Sequence, residues 1–200
     1  MDWVKVITTR AQTSGVLRVD ELARELNASE VAVGNALRRQ EERGLVEHLG
    51  KKIFLNRLVL DFSGRELINV LRPDAYLSLE TVLRDSGIST QTPTALTCVT
   101  SERSGEFRAK ALAITFRRIS KNLLWGFEAK RTKYGTYNVA DPEKAVLDWV
   151  YLLRQQGSPV PTDELDLQRI DRGKLLKYAE RFPIPVKQQI LEAVASFNSM

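Results

Sequence analysis

From Val16 to Asn56 the apolar positions follow a helical period and then a strand period. Val19, Leu22, Ala23 and Leu26 recur three and four residues apart, which predicts a short amphipathic helix. The polar break Asn27-Ala28-Ser29 ends it, and Asn27 or Ser29 can cap a second helix by accepting from its free amides. Val33, Ala36, Leu37 and Gln40 form the inward stripe of that second helix, and Gly44 stands where a helix C-terminus expects glycine. "LVEHL" and "KIFL" then alternate as two strands around a "GKK" turn. Residues Trp3 to Thr13 predict a supporting helix in front of the whole segment.

The pattern changes after residue 60. Pro73 marks a break, because the residue before a proline is biased out of helix, and the boundary is placed at 61–73. "YLSLETVLRDSGIS" predicts a helix with Ser78 as N-cap, Leu79, Val82 and Leu83 inward, and Gly87 as its end. "TALTCVT" and "ALAITFRRI" have the β-branched enrichment of strands, with Leu112, Ile114 and Phe116 on one face. "LLWGFEAKR" and "KYGTYNVA" continue as strands and turns, with Leu124 and Trp125 expected in the core. "DPEKAVLDWVYLLRQQG" predicts a strong helix, with Asp141 as N-cap, Pro142 as its first residue, and Ala145, Val146, Trp149, Leu152 and Leu153 buried. Two further amphipathic helices, separated at Pro183 and Pro185, close the chain. The expected fold class is α+β: residues 1–60, a linker at 61–73, and a mixed α/β domain over 74–200 that ends in helices.

Helix, tight turn, helix, glycine stop and hairpin resemble the winged helix-turn-helix of bacterial transcription regulators. A helix fits the major groove of DNA, and residues on its outward, N-terminal part reach base edges. The candidates are Ser29, Ala32, Asn35, Arg38 and Arg39. Asparagine can pair with an adenine edge and arginine with guanine or phosphate. Lys51 and Lys52, at the hairpin tip, are candidates for the backbone or minor groove. Winged helices also serve as protein-docking modules, and in that alternative Arg38 and Arg39 are simply solvated.

Composition narrows the classes. Of 200 residues, 43% are hydrophobic, and no run approaches the roughly 18–20 apolar residues that span a bilayer. The opening "MDWVKVITTRAQ" has no apolar signal core, and one cysteine, Cys98, suits a reducing cytoplasm. The net charge of +5 is uneven: Ser101 to Lys133 holds nine bases and three acids. Such a local field favours phosphate. Arg103, Arg108, Lys110, Arg117, Arg118 and Lys121 are therefore candidates for a phosphate-facing surface that extends a DNA footprint, with a solvated sheet face as the alternative.

Four stretches of the second half, "AYLSLETVLRDSGIS", "ALTCVTSERSGEF", "ITFRRISKNLLWGFE" and "YNVADPEKAVLDWVYLL", follow one another in an order that resembles AbiEi-type antitoxins. The resemblance runs from about residue 5 to residue 195, and "VADPEKAVLDWVYL" is its most specific element. It implies a winged-helix domain joined to an antitoxin domain. It further implies a protein that represses its own operon at inverted repeats in double-stranded DNA and neutralises a nucleotidyltransferase-like toxin. Whether neutralisation needs direct contact, and whether the repeats meet a dimer or two monomers, stay open. A stand-alone regulator with a ligand-sensing or dimerising second domain is the alternative.

Catalytic chemistry is thinly represented. Glu128 and Lys130 have the Glu-x-Lys spacing of metal-dependent nucleases, without the usual strand-borne aspartate in front. Glu143, Lys144 and Asp148 have spacings that suit ion pairing within a helix as well as chemistry. Cys98 reads as a small buried residue, the lone His48 as a strand side chain, and there is no glycine-rich phosphate loop or Cys/His metal spacing. The chain is read as a non-enzyme with no cofactor.

Overall fold

The computed structural model describes residues 1–109, 112–161 and 164–196. It is a mixed α+β structure, with eight α-helices and two sheets among the described residues. None of these helices is long and apolar enough to cross a membrane. The chain divides into two compact units: Met1–Leu67 with Arg131–Thr136, and Ile68–Lys130 with Tyr137–Met200.

In the first unit α1 (Trp3–Arg10) is capped by Asp2, whose carboxylate accepts from the Lys5 amide at 3.2 Å. A short strand, β1 (Val16–Arg18), leads directly into α2 (Val19–Glu25) and is followed by α3 (Glu30–Glu42). The hairpin β2 (Val46–Gly50) and β3 (Ile53–Asn56) completes an antiparallel sheet in the order β1-β3-β2. Ile7, Leu17, Leu22, Val33, Leu37 and Phe54 are buried together in one core, each worth about 1.5–3 kcal/mol of burial. Asn56 is wholly buried, and both ends of its side chain are bonded: its amide donates to the Ile7 carbonyl at 2.9 Å and its oxygen accepts from the Leu58 amide at 3.1 Å. Helix α4 (Leu67–Leu71) lies inside the stretch expected as a linker, with Leu67 and Ile68 at 0% exposure.

The second unit is built on a six-stranded mixed sheet, apart from residues 131–136 at the turn end of its last hairpin, which group with the first unit. Its strands are β4 (Tyr76–Leu77), β5 (Leu96–Thr100), β6 (Gly105–Ala109), β7 (Leu112–Arg118), β8 (Phe127–Thr132) and β9 (Gly135–Ala140), in the order β6-β7-β5-β4-β9-β8. β5 runs parallel to β7, pairing Leu96 with Ile114 and Thr100 with Arg118, while β6 closes that edge antiparallel to β7. Helices α5 (Leu79–Asp85), α6 (Pro142–Gln155), α7 (Arg172–Ala179) and α8 (Ile184–Ser196) supply the rest. Ile114 and Phe116 bury as the alternation suggests, and the adjacent Cys98 and Val99 of β5 are both buried, with burial raising the Cys98 thiol pKa.

Several expectations are corrected here. Leu112, Leu124 and Trp125 are only half-buried, and Leu123 fills the core because a 3-10 turn at Lys121–Leu123 rotates the strand pattern by one residue. On α6, Trp149 and Leu153 are half-buried, while Glu143, Lys144 and Asp148 go inside. Ser78 and Asp141 stand at N-cap positions without capping hydrogen bonds. Their side chains are drawn to longer-range partners instead: Ser78 to Asp148, and Asp141 to the Tyr178 hydroxyl at 2.8 Å and the Lys174 ammonium at 3.1 Å. Pro183 precedes α8, but Pro185 sits within its first turn, where a missing amide costs no helical bond.

Candidate nucleic-acid interface

The exposed side of α3 follows from what its other side buries. Val33, Ala36, Leu37 and Gln40 face inward, so Val31, Ala32, Asn35, Arg38 and Arg39 are left exposed. Ser29 caps the helix, its hydroxyl oxygen accepting from the Ala32 amide at 3.2 Å, which leaves the hydroxyl proton free to donate. Gly44, at φ +74°, lets the chain leave α3 in the left-handed region and turn into the hairpin. The hairpin tip is unusual: Lys51 and Lys52 have φ of +45° and +63°, the conformation for which an Asn-Gly pair is preferred. Holding two lysines in that region carries a conformational cost.

Helix and hairpin together enclose a groove of about 450 Å³. Val31, Gly34, Asn35 and Arg38 line it from α3, and His48, Lys51 and Lys52 from the hairpin. Ala32 and Arg39 are exposed on the helix but lie outside the groove. Lys52 pairs with Glu30, whose hydrogen bond raises the ammonium pKa. Arg38, Arg39 and Lys51 form no ion pair among the described residues, so their charge is available to a partner.

Two members of this surface escape sequence reasoning. Val31 is 73% exposed, a large apolar side chain on the same stripe as Asn35 and Arg38. An apolar tip there has the chemistry to meet a thymine methyl. Gly34 interrupts the helix interior, and a Cβ built on it meets nothing within 4 Å. No packing within the chain requires that glycine, although it weakens the helix. The signal for both lay in the outward stripe: an apolar residue and a glycine where surface helices carry solubilising ones.

The basic residues of the second unit do not form one patch. Lys110 lies outside the described residues. Arg108 pairs with Glu106 at 3.0 Å, and Arg103 is exposed, its carbonyl accepting from the Arg72 guanidinium at 2.6 Å. Arg117, Arg118 and Lys121 line a separate groove of about 600 Å³.

A buried polar cluster is the other notable feature of this unit. Lys144 and Asp148 have no exposed side-chain surface and form an ion pair one helical turn apart. The Lys144 ammonium also donates to the Tyr76 hydroxyl at 2.8 Å; that hydroxyl and Ser78 Oγ donate to Asp148 at 2.9 and 3.0 Å. Burial pushes the Asp148 pKa up and the Lys144 pKa down, each toward its neutral form, while their mutual attraction works against both shifts. The rings of Tyr76, Trp125 and Phe182 each lie 5.2 Å from the ammonium. Closed to solvent and satisfied internally, the cluster ties α6 to Tyr76 of β4 and to Ser78 at the start of α5. Glu128 and Lys130 are both exposed on β8, and no group of three metal-ligating side chains is brought together among the described residues.

No family model matches the chain, and no curated protein does.

Proposed function

We propose that this protein is a sequence-specific duplex DNA-binding protein whose first unit works as a winged helix-turn-helix. The observation that carries this reading is the exposed α3 stripe of Val31, Asn35 and Arg38, flanked by the paired lysines of the hairpin tip. α3 is the reading helix: Asn35 and Arg38 supply hydrogen bonds to base edges, and Val31 supplies an apolar contact. Lys51, Lys52 and Arg39 hold the phosphate backbone, giving affinity and placement, while the helix gives sequence choice.

With the second-half motifs that resemble AbiEi-type antitoxins, the reading extends to an autorepressing antitoxin. The first unit represses the operon, and the second neutralises a nucleotidyltransferase-like toxin encoded beside it. Growth on induction of the neighbouring reading frame tests this. The full chain should restore growth, and Arg38→Ala should keep the rescue while losing repression of a promoter reporter. Excision of residues 1–67 is a poor substitute, because residues 131–136 pack with that segment: Thr132 Oγ1 donates to Glu66 at 2.6 Å. Operator binding without any rescue would leave a stand-alone regulator.

A further inference from the structure

We propose that the groove between β7 and α6 of the second unit is a binding site for a polyphosphate chain. Its lining combines three bases, Arg117, Arg118 and Lys121, with serine hydroxyls and glutamine amides, and contains no carboxylate. None of the three bases is ion-paired among the described residues, whereas Arg108 on the neighbouring strand is neutralised by Glu106 two residues away. Like charges gathered around one concavity without a counter-ion raise the local concentration of anions.

The hydrogen bonds around the groove leave donors facing it. Ser104 Oγ accepts from the Arg118 amide at 2.9 Å, which frees its own proton for a ligand. The Gln155 amide donates to the Tyr151 hydroxyl at 2.7 Å, and Tyr151 lies 3.1 Å from Ser120 Oγ. With Tyr151 passing its proton to Ser120, the Ser120 hydroxyl also has a proton to give. The carbonyls of Leu152, Leu153 and Arg154 accept from the amides of Gln156, Gly157 and Ser158, and Gln155 and Gln156 line the groove at this helix end. Guanidinium groups bind phosphate oxygens in pairs, and hydroxyls add single bonds.

The shape selects among phosphates. At about 600 Å³ the groove is the size of a small-molecule site. Its apolar lining is limited to Ile119 and Leu152, and no aromatic ring is present to stack a base. Recognition therefore falls on the phosphate chain, whether inorganic or carried by a nucleotide. Arg117 is half-buried in the concavity, poorly placed for the convex backbone of a duplex.

Calorimetric titration of the full chain with tripolyphosphate, ATP, orthophosphate and sulfate at fixed ionic strength tests the site. Tripolyphosphate should saturate, orthophosphate and sulfate should bind more weakly, and ATP should bind no more tightly than tripolyphosphate. Arg117→Ala with Lys121→Ala should weaken it by about tenfold or more, and the milder Arg118→Gln should weaken it less, from lost charge-assisted contacts. Arg103→Ala with Arg108→Ala, which removes the same charge outside the groove, should change it by less than about twofold; circular dichroism checks that each variant is folded. No saturation, equal loss in both double variants, tighter binding of ATP, or displacement of tripolyphosphate by duplex DNA of any sequence would overturn the proposal.

Discussion

On the proposed DNA-binding reading, replacing Gly34 with alanine should strengthen the protein and weaken its affinity for DNA. Gly34 sits in the middle of α3, where glycine costs about 0.5–1 kcal/mol relative to alanine. The added methyl meets no atom within 4 Å, so no clash offsets the gain. In a unit of this size 1 kcal/mol corresponds to roughly 4–8 °C of melting temperature, so a rise of about 2–8 °C is expected. The same methyl projects between Val31, Asn35 and Arg38 into the groove. In a close-packed contact an extra methyl costs about 1–3 kcal/mol, which is roughly a 5- to 150-fold loss of affinity. Thermal melts by circular dichroism and fluorescence anisotropy on DNA from upstream of the reading frame measure the two effects on one sample. A raised melting temperature with unchanged affinity would remove this face of α3 from the DNA contact. An unchanged or lowered melting temperature would show that Gly34 is needed by the fold and refute the argument from open space.

Other outcomes follow from the same geometry. Asn35→Ala and Arg38→Ala should each cost roughly 1–3 kcal/mol and relax choice at one base position, read by competition with single-base operator variants; a uniform loss would put the residue on the backbone. Lys51→Ala should lower the slope of log affinity against log salt by about one unit, measured by anisotropy across a salt series. Lys144→Met and Asp148→Leu should each destabilise by about 3–5 kcal/mol in urea melts, while the double replacement should recover only part of the loss, because it removes the unpaired charge but still leaves the buried Tyr76 and Ser78 hydroxyls without partners. Burial works to raise the Asp74 pKa, but hydrogen bonds from Ser101 and Thr100 outweigh it and the net shift is downward. A depressed folded pKa gives stability that is present above the unfolded value of about 3.9 and lost as pH falls through the folded one. Melts of the wild type and Asp74→Asn should therefore differ at pH 6, with the difference shrinking only as pH falls below about 3.9 and through the lower folded value.

The helical stripe of α3 was legible because its 3.6-residue period is local: Val33, Ala36, Leu37 and Gln40 bury as spaced, Ser29 caps, and Gly44 takes the left-handed turn. β1 was not, since three residues are too few to show a two-residue alternation. Lys144 and Asp148 carried no mark of burial, because the hydroxyls that make burial tolerable, on Tyr76 and Ser78, arrive from about 70 residues earlier in the chain. Leu123 displaced Leu124 for a local reason, a 3-10 turn that alternation cannot anticipate. The candidate DNA residues were found as a set but not as a surface. The chain sequence supplies Asn35, Arg38, Lys51 and Lys52, whereas their gathering around one groove, with Val31 and Gly34 between, depends on how α3 packs beside the hairpin. The basic stretch from Arg103 to Lys121 looked continuous as text, yet its described residues divide by strand and turn into one ion-paired site, one exposed site and one concave one.

The most direct measurement is an anisotropy titration of the full chain on DNA from upstream of its own reading frame, against a scrambled duplex of equal composition, with Arg38→Ala alongside. The account predicts tighter binding to the upstream DNA, a steep loss of affinity with added salt, and a loss of discrimination in Arg38→Ala. Equal binding to both duplexes, or discrimination that survives Arg38→Ala, Asn35→Ala and Val31→Ala together, would contradict the assignment of α3 as the reading helix.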